Sequence, residues 1–221
     1  MTLTDTFKSV RRAAGTLADM TDDERNAVLA DVADAIVAGK ERLLAANEAD
    51  LARMDKTNPL YDRLRLTAER LDAIAADMRN VALLPSPLGR TSHDRTLPNG
   101  LHIRRVSVPF GVIGIVYEAR PNVTFDVFAL CFKSGSACIL KGGKDADSSN
   151  REGVALIHEA LQRHGVDTAA VQLLPSTHEA TAEMLGATGY IDLCIPRGGR
   201  KLIDFVRNTA RIPVIETGAG V

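Results

Sequence analysis

The sequence has 221 residues, 45% hydrophobic and 25% charged, proportions of a globular chain long enough for one large core or two small ones. A formal net charge of −1 and a pI near 6.5 give no one-signed field to draw it onto nucleic acid or an anionic membrane, so neither is an expected partner. The longest apolar runs fall far short of a membrane span and the N-terminus lacks a signal-type stretch, which predicts a cytoplasmic address.

Helices are expected first. Thr21-Asp22-Asp23-Glu24 has capping-box form, and Val28, Val32, Ala35 and Ile36 then share a face until Gly39 interrupts. A second helical run passes through Leu43, Leu44, Ala46 and Leu51. A third, after Thr67, carries Leu71, Ile74, Ala75, Met78 and Val81, and Pro85 and Pro87 close the region.

The period then changes. Asn99-Gly100 between Thr96-Leu97 and Leu101-His102-Ile103 predicts a β-hairpin with a two-residue turn, and the phase shift at Arg104-Arg105 predicts a bulge there. From Val112 strand and helix alternate, the pattern of a parallel sheet flanked by helices. Strands are expected at 112–116, 137–141, 171–173, 190–195 and 214–216, and helices beginning near Val123, Ser149, Thr177 and Gly199. The expected organisation is a helical region over 1–94, a hairpin arm over 95–110 and an αβ unit over 111–221.

Three strand-to-helix junctions carry the chemistry. In Tyr117-Glu118-Ala119-Arg120-Pro121-Asn122, a buried-looking strand ends and Asn122 opens a helix, either as a cap or turn residue or as an amide donor to the oxygen of a reacting carbonyl. Lys141-Gly142-Gly143-Lys144 runs off the next strand, and Ser148 or Ser149 can cap the following helix. This loop is either a basic surface turn or a seat for a phosphate or ribose. Arg197-Gly198-Gly199-Arg200-Lys201 opens a helix whose Leu202, Phe205, Val206 and Thr209 share a face, and an anion there would meet free amides, the helix dipole and cations.

Neither a Walker spacing nor a Gly-x-Gly-x-x-Gly fingerprint is present. The five histidines show no metal spacing, and His158, on the face of Val154, Ile157 and Leu161, reads as a packing residue. Cys131, Cys138 and Cys194 lie in apolar segments and read as buried thiols rather than nucleophiles or metal ligands. Three anion-friendly loops after three successive strands suggest one ligand laid along one edge of the sheet.

The segments 108–122, 130–135, 139–144, 190–193, 195–199 and 212–215 resemble gamma-glutamyl phosphate reductase, a family of the aldehyde dehydrogenase superfamily. The resemblance implies an α/β fold: a Rossmann-like cofactor-binding domain of the aldehyde dehydrogenase type, with N-terminal helices and a protruding β-hairpin. It implies NADPH-dependent reduction of L-glutamyl 5-phosphate to L-glutamate 5-semialdehyde in proline synthesis, through a cysteine thiolate that displaces phosphate to give a thioester.

Residue by residue, the resemblance assigns the oxyanion role to Asn122, the adenosine ribose to Lys141 in its Gly142-Gly143 loop, and a 2′-phosphate to Lys144, with Asp145 and Asp147 tempering the charge. It sets Gly198 and Gly199 beside the pyrophosphate and Glu216, Thr217 and Gly218 near the nicotinamide. Arg120 and Arg197 are candidates for the substrate phosphate on charge alone. Glutamate 5-kinase and further copies of the whole protein are the macromolecular partners implied. The family's cysteine segment has no match here, so the catalytic domain is expected beyond Val221 and the chain is expected to be inactive alone. A non-catalytic nucleotide-binding or assembly module and another acyl-phosphate or aldehyde reductase of the superfamily are the alternatives.

Overall fold

The computed structural model describes residues 2–216. Five helices come first: α1 (Leu3–Asp19), α2 (Asp22–Ala38), α3 (Lys40–Leu51), α4 (Tyr61–Leu64) and α5 (Ala68–Leu83). The predicted capping box at Thr21 and Glu24 forms, and Gly39 separates α2 from α3. Helix α1, within the region expected to be helical, has a box of its own, with Thr2 and Asp5 exchanging side-chain and backbone bonds.

The hairpin pairs β1 (Thr91–Thr96) with β2 (His102–Val106) antiparallel, and its strands are exposed along nearly their whole length. Its turn differs from the expected two-residue form. The Gly100 amide donates to the Leu97 carbonyl and only Gly100, at φ +87°, is left-handed, so Leu97-Pro98-Asn99-Gly100 is a type I turn closed by a glycine. Proline at the second position fixes φ near −65°, which suits type I and excludes the primed turn. The register shift also moves: the extra residue is Ser92 on β1, opposite the Arg105-Val106 step at which the pattern changes phase.

The αβ part runs β3 (Val112–Tyr117), α6 (Asn122–Lys133), β4 (Ala137–Lys141), α7 (Asp147–Arg163), β5 (Val171–Leu173), α8 (His178–Leu185), β6 (Leu193–Arg197) and α9 (Arg200–Thr209). The strands are parallel in the order β5-β4-β3-β6, and Val214 makes one parallel bridge to Cys194 on the outer side of β6. Two strand expectations need correction. The last segment is a single bridge among the described residues, and the strand expected at 190–195 starts at Leu193 and continues through Pro196. Asp192 is the reason for the later start: its carboxylate accepts from the Val112 amide (2.8 Å) and pairs with Arg11, holding the chain in a loop until β6 begins beside β3.

Strand β3 is buried at every position, as expected of a strand covered on both faces. Helices α6 and α7 pack together and α2, α3 and α5 lie over them, while Phe7 of α1 meets Tyr190 near the end of α8, with ring centroids 6.4 Å apart. The apolar core is one continuous cluster from α1 to Ile212, so the helical front and the αβ part share it. Lys133, at the end of α6, is almost wholly buried and donates to Asp22 (3.0 Å), Asn26 (2.6 Å) and the Ala82 carbonyl (3.1 Å), tying α2 and α5 to α6.

Candidate functional site

Strand order decides where a ligand can sit. From β3 the chain goes to β4 and β5 on one side, then returns to β6 on the other, so the crevice between the C-terminal ends of β3 and β6 is the switch point of the sheet. Register places Lys141 opposite Val116 on one side of β3, with Pro196 opposite Val116 and Arg197 opposite Tyr117 on the other. The three loops singled out in the sequence therefore leave the same end of three adjacent strands.

Glu118 lies between two of those loops. Its side chain accepts from the Gly199 amide at 2.9 Å and so caps α9 from a neighbouring strand end. A Cβ at Gly198 would stand 2.8 Å from the Glu118 Oε2 and 2.7 Å from Leu202 Cδ2, so the absence of a side chain is what lets α9 approach. On the other side, a Cβ at Gly143 would reach ordinary contact with the Glu118 backbone, 3.7 Å away. Gly142 is more tightly held: a Cβ there would be 2.3 Å from Asn150 Nδ2, in a polar cluster where Thr124 bonds the buried Tyr117 hydroxyl (2.7 Å) and Asn150 (3.0 Å).

A cleft of about 270 Å³ opens at the switch point, lined by Leu60, Arg63, Glu118, Arg120, Arg197 and Gly198 among others. None of the three guanidinium groups has an ion-pair partner among the described residues, and the one carboxylate in the cleft is engaged with an amide. Such a set of cations suits a phosphate or carboxylate ligand. A second cleft of about 330 Å³ shares Arg63 and Arg120 and adds Arg65, Asn122 and Asp126. The two hollows are thus neighbours, with Arg63 and Arg120 between them.

Asn122 is the first residue of α6 and does not cap it: Pro121 holds the cap position with no side-chain bond. The half-buried Asn122 amide instead donates to Asp126 Oδ2 at 3.0 Å, one turn along the helix. An amide nitrogen has two hydrogens, so Asp126 fixes the orientation while one donor stays available. Burial raises the Asp126 carboxyl above its ordinary range; the Asn122 bond and the Arg197 charge pull the other way.

At the end of β4, Lys141 is buried and its Nζ donates to the Gly142 carbonyl at 3.0 Å. Burial pushes its pKa down, opposed by Asp147. Lys144 is exposed with no ion-pair partner among the described residues, whereas Asp147 pairs with Arg151. The serines do not cap α7. Asp50, buried at the end of α3, accepts from the amides of Ser148 (3.0 Å) and Ser149 (2.8 Å) and from the Ser149 hydroxyl (2.6 Å). A carboxylate from 98 residues upstream does the work that local sequence assigned to a hydroxyl.

Glu216 follows the bridge at Val214, and its carboxylate accepts from Arg207 at 3.4 Å; Thr217 and Gly218 lie outside the described residues. In α9, Val206 is buried and Leu202 half-buried, but Phe205 and Thr209 are exposed, so the predicted apolar face is covered only in part. All three cysteines are buried and unpaired, and burial drives the Cys194 thiol up to about 12. His158 donates to or accepts from nothing catalytic: its ring nitrogen meets the Val171 carbonyl at 2.8 Å, as a packing histidine would. Among the described residues there is no cluster of metal-binding side chains, and no helix is long and apolar enough to cross a membrane.

Sequence reasoning missed Glu118, Arg63, Asp126 and Asp50. Asp126 was legible as a partner four residues from Asn122 on a helix. Arg63 and Asp50 become visible only when the N-terminal helices are docked on the sheet.

No family model matches the chain. It is 61% identical to the gamma-glutamyl phosphate reductase of Bacteroides thetaiotaomicron over 219 residues, 99% of this chain and 52% of the relative. The protein of the same name from Pelodictyon phaeoclathratiforme is 56% identical over 220 residues, 53% of its length. Among solved structures, gamma-glutamyl phosphate reductase from Thermotoga maritima superposes with a TM-score of 0.94 at 36% identity, covering 99% of this chain and 54% of that one. The Saccharomyces cerevisiae reductase gives 0.88 at 30% identity, covering 98% of this chain and 56% of that one. A probable aldehyde dehydrogenase from Listeria monocytogenes gives 0.77 at 16% identity, a likeness of fold alone. The chain spans about half the length of the curated relatives it matches. Over nearly all of its own length, then, it is similar to about half of a gamma-glutamyl phosphate reductase, and it has a fold like that of an aldehyde dehydrogenase-type structure.

Proposed function

We propose that the sheet edge holds NADPH, and that the whole protein reduces L-glutamyl 5-phosphate to L-glutamate 5-semialdehyde in proline biosynthesis. The observation that carries this reading is the convergence of three guanidinium groups, without ion-pair partners among the described residues, on the switch point of a parallel sheet, beside the Gly198-Gly199 loop. The residues present fit a dinucleotide: Gly198 leaves no room for a side chain, and cations flank both glycine loops.

In this reading Lys141 and the Gly142-Gly143 loop face the adenosine ribose, Lys144 its 2′-phosphate, and Gly198-Gly199 the pyrophosphate. Glu216-Thr217-Gly218 flank the nicotinamide end. When bound, the dinucleotide supplies the hydride. Asn122, oriented by Asp126, donates its second amide hydrogen to the acyl oxygen as negative charge builds there, and Arg120 and Arg197 draw off the charge of the departing phosphate.

The nucleophile is none of the three cysteines, since each is buried and the Cys194 thiol is held far from ionisation at neutral pH. The thiolate that displaces phosphate is in this reading a sulfur other than these three. The hairpin, exposed along both strands, is the arm through which copies of the whole protein associate, and glutamate 5-kinase is the source of the acyl phosphate. The division into a helical front, an arm and an αβ cofactor unit belongs to the same reading.

The test is a titration of this chain with NADPH, followed by nucleotide fluorescence and competed by inorganic pyrophosphate. Saturable binding relieved by pyrophosphate is expected, together with no substrate-dependent NADPH oxidation. Absence of binding contradicts the cofactor assignment, and turnover contradicts the assignment of the nucleophile.

A further inference from the structure

The α7 N-terminus, beside the Lys141–Lys144 loop, is already filled from within. Asp50 takes the Ser148 and Ser149 amides and the Ser149 hydroxyl with its two oxygens, so these amides are not open to a phosphate. A phosphate at the end of β4 therefore relies on the loop before α7 and on side-chain cations. Asp50 also supplies one: its Oδ1 pairs with Nη2 of Arg53, which reaches the Ser148 hydroxyl at 3.3 Å as well.

This double tether uses one nitrogen of the guanidinium. Nε and Nη1 of Arg53 have no partner among the described residues, and the side chain is about half exposed (54%). A cleft of about 320 Å³ lies in front of it, lined by Asp50, Arg53, Met54, Lys144 and Asp145. The formal charges of the lining cancel. Asp50, however, has no exposed side-chain surface, whereas Lys144 and the Nε and Nη1 donors of Arg53 remain for a ligand.

We infer that Arg53, just beyond the end of α3, is the second cation of the adenosine 2′-phosphate seat, acting with Lys144, which lines the same cleft. The inference rests on the NADPH reading and deepens it: discrimination for the phosphorylated dinucleotide is shared between the segment after α3 and the β4 loop. Arg53 is a specificity residue in this account. A planar fork anchored at one corner presents its remaining donors to a phosphate in a fixed plane, which a free lysine cannot do.

The experiment measures the Kd of NADPH and of NADH for this chain and for Arg53→Gln, Arg53→Lys and Lys144→Glu. Glutamine keeps a donor for Asp50, and thermal melting checks that the variant is as stable as the parent. The parent is expected to prefer NADPH. Arg53→Gln should reduce the NADPH-to-NADH preference about five- to tenfold with NADH binding unchanged, and Arg53→Lys should recover only part of it. If Lys144→Glu removes the preference and Arg53→Gln leaves it intact, the Arg53 assignment is wrong and the NADPH reading stands. Equal losses for both nucleotides in Arg53→Gln would reduce Arg53 to a structural residue and overturn the inference. A parent without preference, or without binding, overturns the NADPH reading and this inference together.

Discussion

Among the described residues Glu118 is the one carboxylate in a cleft with three guanidinium groups, yet it bonds the Gly199 amide. If a pyrophosphate takes that amide, Glu118 is its competitor and its repellent. The perturbation is Glu118→Gln, which keeps an acceptor of the same shape for the Gly199 amide and removes the charge. At about 5.5 Å in a water-like dielectric, one unit charge opposes another by about 0.8 kcal/mol, so two phosphate charges feel about 1.5 kcal/mol. That corresponds to about tenfold tighter binding. Removing charge from the α9 N-terminus costs about 0.3–1 kcal/mol of stability. Glu118→Ala, which also deletes the cap, costs about 1 kcal/mol. Calorimetric titration with inorganic pyrophosphate and with NADPH, at low and high salt, reads the effect, and the gain should shrink as salt screens it. Unchanged or weaker binding by Glu118→Gln would refute the competition, because a carboxylate that helps to hold the ligand must weaken binding when neutralised.

Gly142→Ala should destabilise the chain by about 1–3 kcal/mol in denaturant melts, since its methyl would stand 2.3 Å from Asn150 in a packed polar cluster; a loss below 0.5 kcal/mol would mean that the cluster yields freely. Native protein at pH 8 should take up no iodoacetamide, whereas unfolded protein should label at Cys131, Cys138 and Cys194. Burial and a thiol held at about 12 in Cys194 predict this, and rapid native labelling would contradict it. Asp126 has a raised carboxyl pKa, so the folded state keeps its proton longer than the unfolded chain. Stability is therefore lost as pH rises from the unfolded value through the folded one, and Asp126→Asn should gain stability at pH 7 that fades below about pH 4. An Asn variant no more stable at pH 7 would show that the burial cost is offset.

What local chemistry controls was legible in the sequence. The Thr21 box, the fully apolar β3, the strand-to-helix alternation and the three junction loops all follow from residues within a few positions of one another. Errors arose where a distant or competing contact decides. Pro98 turns Asn99-Gly100 into the second half of a type I turn, Asp192 delays β6, and Asp50 displaces Ser148 and Ser149 as the cap of α7. The site shows the same division. Asn122, Lys141, Lys144 and Gly198 could be placed at strand ends as candidates, whereas Glu118 is a ligand of α9 only because β3 and β6 are neighbours, and Arg63 and Arg53 reach the edge only because the helical front is docked there.

The most direct measurement is backbone amide chemical-shift mapping of this chain during titration with NADPH. One ligand along the C-terminal ends of β3, β4 and β6 predicts that Gly143, Lys144, Gly198 and Gly199 shift together with a single Kd, with Asn122 at the edge of the affected region. Shifts confined to one loop, or centred on the hairpin or the far ends of the strands, would contradict a dinucleotide seat at the switch point.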